Sequence, residues 1–210
     1  MLDLPRLDAR QHKLSELVKM DAIKLILAFA PWIAFWIISL GHSMFSLKVG
    51  ICVAALLVIV MGVTKLHRGT ILWAGVAFFA FAVISVVWLE NSWVIHHLGF
   101  LASGTLFMAT FLSILWGRPF TEDYARDHVP EELWDSPSFV RGCFTVTAAW
   151  GCVFLANTLV NVVKLQRPAV ADWIYEVTQL GFLALGVLFT TVFSRIASRK
   201  RVQAESAVKK

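Results

Sequence analysis

Long apolar runs recur along the chain with short polar gaps between them, and the pattern predicts a membrane helix bundle. Six segments stand out: Ala22 to Leu40, Phe45 to Thr64, Thr70 to Leu89, Val94 to Trp116, Cys143 to Val163 and Val170 to Phe193. Each is close to the roughly 20 residues that an α-helix rising ~1.5 Å per residue needs to cross ~30 Å of hydrocarbon. The polar stripe that a soluble helix carries is missing over most of each run. Strict apolar/polar alternation is absent too, so a β-barrel does not fit. The expected fold is all-α: a polytopic bundle of six transmembrane helices (22–193), preceded by an arm (1–21) and followed by a basic tail (194–210).

Composition agrees with this layout: 58% of the 210 residues are hydrophobic and 16% charged. The charges add an orientation. Of the 19 Lys and Arg, 15 lie in the arm, in the gaps after the second and fourth segments, and in the tail. The other gaps hold only Lys164 and Arg167, while Lys24 and Lys48 sit inside the first and second segments. Positive residues favour the cytoplasmic side, so both termini are expected there. The net charge of +5 is spread in this way rather than gathered for a nucleic acid, and basic residues such as Arg199, Lys200 and Arg201 suit anionic lipid headgroups.

The first segment follows some twenty residues carrying Arg6, Arg10, Lys13 and Lys19, its apolar run is longer than a signal peptide's, and no A-x-A site follows it. It is expected to stay as a helix. The arm spaces Leu7, Leu14, Leu17 and Val18 so that they can share one helical face along the inner surface, although a partly ordered leader fits the same residues. The largest soluble piece is the connection 117–142, too short for a domain of its own. Within it, Thr121 before Glu122 and Asp123 reads as a helix N-cap, Pro130 as a stop, and Leu133 with Trp134 as an interfacial anchor.

Chemistry is sought first among polar groups in apolar segments, because these are costly unless paired. Lys24 can carry its ammonium back to the interface or serve a transport path. Asn157 and Asn161, four apart, share a helix face and can either bond to a neighbouring helix or contact a substrate. Glu90, Asn91, His96 and His97 form the most reactive-looking cluster, at the end of the third segment. Imidazoles and a carboxylate can relay protons or bind metal. Adjacent histidines point about 100° apart on a helix, however, so a solvated interfacial turn is the favoured reading and no metal site is expected. Asp172 and Glu176 are further acidic groups near the start of the sixth segment. The cysteines Cys52, Cys143 and Cys152 form no C-x-x-C pair and read as small buried apolar residues. Of nine Trp, Trp73, Trp88, Trp93, Trp116, Trp134, Trp150 and Trp173 include seven near segment ends, as an interfacial belt requires. Trp32 and Trp36, beside Pro31, lie deeper and suit a groove or a helix contact.

There is no H-E-x-x-H, G-x-S-x-G or Walker loop, and no cofactor is expected. The Phe29 to Phe35 stretch around Pro31, the Asn91 to Ile95 turn, the Arg118-Pro119-Phe120 step and the Trp150, Phe154, Asn161 spacing together resemble the bacterial intracellular septation protein A family. The chain departs from that family's pattern at Trp93, at His96 and His97, and in the longer, acidic loop 121–135. The resemblance implies an inner-membrane protein that supports envelope integrity or septation through contacts with division or envelope-synthesis membrane proteins, with no catalytic residues. Two other functions fit the residues. A small transporter or channel would line a polar path with Glu90, His96, Asn157 and Asn161. A lipid-modifying enzyme would need Glu90, Asp172, Glu176 and the histidines to converge. Gly99 and Ser103, four apart, permit close helix contact without specifying an oligomeric state.

Overall fold

Caps and turns divide the apolar sequence into helices. In the computed structural model, residues 29–41, 43–64, 69–126, 129, 131–167 and 169–208 are described, with side chains as far as 197 and Leu133 by its backbone alone. The helices are α1 (Ala30–Ser39), α2 (Met44–Val63), α3 (Thr70–Ala82), α4 (Ser92–Leu115), the short α5 (Glu122–Ala125), α6 (Pro137–Gln166) and α7 (Asp172–Val208). A π-helical turn, Val83–Trp88, continues α3, and no strand occurs among the described residues.

Several helices start where a small polar residue satisfies a free N–H. Ser43 and Ser46 form a reciprocal capping box at α2, Asn91 accepts from Val94 N at 3.1 Å to start α4, and Ser136 accepts from Phe139 N at α6. Pro31 and Pro137 stand in the first turns of α1 and α6, where their missing N–H costs nothing. The α3 helix begins differently. Gly69, with φ +135, supplies no side chain, and the Asp123 carboxylate reaches across from α5 to the Thr70 backbone. An ideal Cβ on Gly69 would collide with Asp123 Oδ2, so the docking needs glycine there.

Among the described residues, five helical segments are long and apolar enough to cross a membrane: Met44–Val63, Thr70–Trp88, Ser92–Leu115, Pro137–Gln166 and Asp172–Ala197. This is consistent with an integral membrane protein. The first expected segment is described only from Phe29 onward, and its helix is ten residues long, so five spans are shown where six were expected. The arm 1–21, Lys24 and Pro130 lie outside the described residues. The fifth apolar run belongs to a longer helix that begins at Pro137 rather than Cys143. The backbone of the expected tail continues α7 as far as Val208.

Successive helices pack on one another, α1 on α2, α2 on α3 and α3 on α4, while α6 packs extensively on α4 and then carries α7. Short connections and the Lys48–Glu90 ion pair place the α1–α2 and α3–α4 turns at one end, here termed the hairpin end. Gly69 meets Asp123, and Gly142 meets Phe193, at the opposite end.

The core is aromatic. Phe29 stacks on Trp150 at 5.3 Å and also meets Phe154 and, edge-on, Phe120. Trp32 stacks on Phe78 at 5.1 Å and touches Phe79. Ring pairs of this kind are favourable beyond their buried area, which matters in lipid, where no hydrophobic force draws helices together.

Candidate functional site: an intramembrane cleft

Between α1, α4, α6 and α7 lies a half-open cleft of about 200 Å³. Trp32, Ile33, Trp36, Ala102, Leu106 and Leu183 are among its apolar walls, and Asn157, Asn161, Ser103 and Gln179 supply polar atoms. Among the described residues, none of its lining side chains is ionisable. The helical rise puts Gln179 about 10 Å below the start of α7, well within a membrane-length helix.

Asn161 is the hub. Its Nδ2 donates to Ser103 Oγ on α4 at 3.2 Å and to the Asn157 carbonyl at 3.0 Å, and its Oδ1 accepts from Gln179 Nε2 on α7 at 3.5 Å. Three helices are thereby tied through one amide. Close approach of α4 makes this possible: an ideal Cβ on Gly99 would sit 2.6 Å from Asn161 Oδ1. Farther along the cleft, Trp150 Nε1 donates to Thr190 Oγ1 on α7 at 3.0 Å. Asn157 is buried, and its Oδ1 has no hydrogen-bond partner.

The structure thus separates the expected candidates. Asn157 and Asn161 share the cleft. Glu90 and His96 do not line it. Glu90 stands exposed with φ 46 and pairs with Lys48, whose ammonium holds the carboxyl below its ordinary range. Asn91 is the α4 cap. His97 stacks on Trp93 at 4.3 Å, its Nδ1 lies 2.8 Å from the Trp93 carbonyl, and His96 meets the His97 ring edge-on. Asp172 pairs instead with Lys164 at 3.0 Å. Among the described residues, no three His, Cys, Asp or Glu gather in a metal-binding arrangement.

The motif positions Pro31, Pro119, Phe120, Trp150 and Phe154 are all buried, whereas Arg118 is exposed. Trp150 is therefore a core residue and does not belong to an interfacial belt, because α6 extends far beyond its apolar run and carries Trp150 into the bundle. Trp73, Trp88, Trp93, Trp116 and Trp173 are exposed, as a belt requires. Trp134 turns back onto its own loop, donating to the Val129 carbonyl at 2.8 Å and lying 4.9 Å beneath the Arg126 guanidinium. Thr121 precedes α5 without capping it through its side chain. Its hydroxyl is buried against α6, donating to the Cys143 carbonyl and meeting Thr147 Oγ1 at 2.8 Å.

Sequence reasoning missed Gln179 and Thr190. Both are polar residues within the sixth apolar run, the same signal that marked Asn157 and Asn161. No protein-family profile, curated protein or solved structure matches the chain.

Proposed function

We propose that this is a six-span membrane protein that works by holding a membrane-dissolved amphiphile in the cleft, with no covalent step. The observation that carries the reading is the pairing of aromatic and aliphatic walls with a buried amide cluster, free of ionisable groups among the described residues. Sites for small ligands are commonly apolar concavities with a few placed polar groups, often between the helices of a bundle. The cleft lies between α1, which packs on α2, and α7, which packs on α6. A ligand would enter sideways between these two helices. The span that begins at Ala22 completes α1 in this reading, the basic gaps favour the cytoplasmic side for both termini, and the family resemblance implies a bacterial inner membrane.

Photolabelling tests the proposal directly. An amphiphile with a diazirine on its alkyl chain, added to the full chain in nanodiscs, is expected to label Ala102, Leu106 and Leu183 in preference to lipid-facing Leu56 and Ile59. Filling the cleft with Ala102→Phe is expected to remove that preference. Equal labelling of cleft and lipid-facing residues would overturn the reading.

A second reading, contact with division or envelope-synthesis proteins as the family resemblance implies, is favoured by α7. Only 6% of its most apolar window is buried, against 28–44% in the other four spans. Crosslinking in cells from Leu180, Leu185 and Leu188 is expected to capture such proteins when crosslinking from Leu56 does not. Equal capture from both helices would remove this support.

A further inference from the structure

The cleft's polar end has one unmet requirement. Asn157 is 5% exposed, lines the cleft on α6, and its Oδ1 accepts no hydrogen bond. A buried acceptor without a donor is costly, and hydrocarbon has no water to supply one. Two neighbouring donors, the Asn161 amide and the Trp150 indole, are already engaged. Both Nδ2 bonds of Asn161 go to Ser103 and to the Asn157 main chain, and Trp150 Nε1 is held by Thr190. Each cleft hydroxyl donates into its own helix: Ser103 to the Gly99 carbonyl, Thr190 to Gly186 and Thr191 to Val187, at 2.8–2.9 Å. The other buried polar atoms without partners among the described residues, the hydroxyls of Ser39 and Thr110, belong to residues that do not line the cleft.

We infer that Asn157 Oδ1 is the recognition point for the hydroxyl of a neutral lipid alcohol whose apolar chain lies along the Trp32, Leu106 and Leu183 wall. This deepens the binding reading above and rests on it. The head must be neutral, because a phosphate or carboxylate entering a cleft with no ionisable lining side chain among the described residues would lose its hydration without a counter-charge. The head must also donate, because an ether or ester oxygen presents only lone pairs to an acceptor. The Cβ–Cγ torsion of asparagine is broad, so the amide oxygen can turn toward an entering O–H at small cost. A cleft of about 200 Å³, open on one side, holds the head and part of one chain and leaves the remainder in the bilayer.

Native mass spectrometry of the full chain released from detergent micelles tests this with matched pairs: a linear C16 alcohol, an isoprenoid alcohol and a diacylglycerol, each against its O-methyl ether. The expected result is retention of one alcohol per chain, at least tenfold above its ether, in at least one pair, and that pair identifies the source of the hydroxyl. Asn157→Leu removes the orphan amide without introducing a new polar group. It is expected to keep the parent's thermal stability and to retain alcohol and ether equally. Equal retention of alcohol and ether by the parent chain in every pair would overturn the hydroxyl assignment while leaving cleft binding intact. Retention that persists undiminished in Ala102→Phe would instead defeat the cleft reading itself.

Discussion

The turn at Glu90 to His97 and the amide cluster at Asn157 to Asn161 contain similar numbers of polar groups, yet they behave in opposite ways. At the turn, charge and imidazole are exposed and satisfied locally, by Lys48, by a cap and by Trp93. In the cluster, uncharged amides are buried, tie three helices together, and leave one acceptor open. The difference is one of surroundings. A salt bridge in water exchanges one set of partners for another and gains little, whereas an amide within hydrocarbon has only protein to bond. In a membrane bundle, the groups that look least reactive can therefore matter most.

The largest effect that would test this contrast is expected from Asn161→Ala. Losing bonds to Ser103, Asn157 and Gln179 should lower stability by about 1–3 kcal/mol, given the ~0.6–2 kcal/mol typical of each interhelical hydrogen bond. Reversible unfolding in mixed micelles would measure the loss, and an unchanged midpoint would deny Asn161 its role as hub. Gly99→Ala comes next. Its new methyl collides with Asn161 Oδ1, and overpacking of that kind typically costs ~1–3 kcal/mol. Combined with Asn161→Ala it should cost much less than the sum of the two, and strict additivity would show that the collision is absent.

Asp123 sharpens the comparison because it joins charge to partial burial. Desolvation where it docks on the α3 terminus, reinforced by Glu122, pushes its carboxyl above the ordinary 3.8. The folded state thus favours the protonated form, so stability falls as pH rises through the folded value. Asp123→Asn should be more stable than the parent at pH 7 and equal to it below about pH 3.8, as followed by thermal unfolding across pH. A loss of stability at pH 7 would mean that the negative charge at the helix start outweighs its desolvation.

The smallest effects belong to the turn. The Glu90 carboxyl is held below its ordinary 4.5 by Lys48, so the pair helps above that value and ceases to help as pH falls through the lower folded one. Glu90→Gln should differ only slightly from the parent at pH 7, and that gap should close in acid. His96→Ala should change stability by less than about 0.5 kcal/mol, in keeping with an exposed site. A large loss from either substitution would reverse the ranking of the two regions.

The spans were largely legible because hydrocarbon thickness acts on every residue in a run. Five of the six expected segments match a membrane-length helix, and their ends shift where helices extend beyond the apolar part, as at Pro137. Asn157 and Asn161 were legible as polar exceptions, and Trp32 and Trp36 as misplaced belt residues. The convergence of Phe29, Phe120, Trp150 and Phe154 was not, since period and composition say which face is apolar but not which faces meet. The fate of the Asn161 amide was hidden for the same reason: Ser103 and Gln179 lie 58 and 18 residues away along the chain. The π turn at Val83–Trp88 has no signature in its residues, and only the hydrogen bond from Leu89 N to the Ile84 carbonyl reveals it.

The contact between Gly99 and Asn161 also carries a historical consequence. With no room for a methyl beside the amide, neither position is free to drift alone. A lineage that acquired alanine at 99 would be expected to carry a shorter residue at 161, and one that kept asparagine at 161 to keep glycine at 99. The two sites, 62 positions apart, should be inherited as a pair.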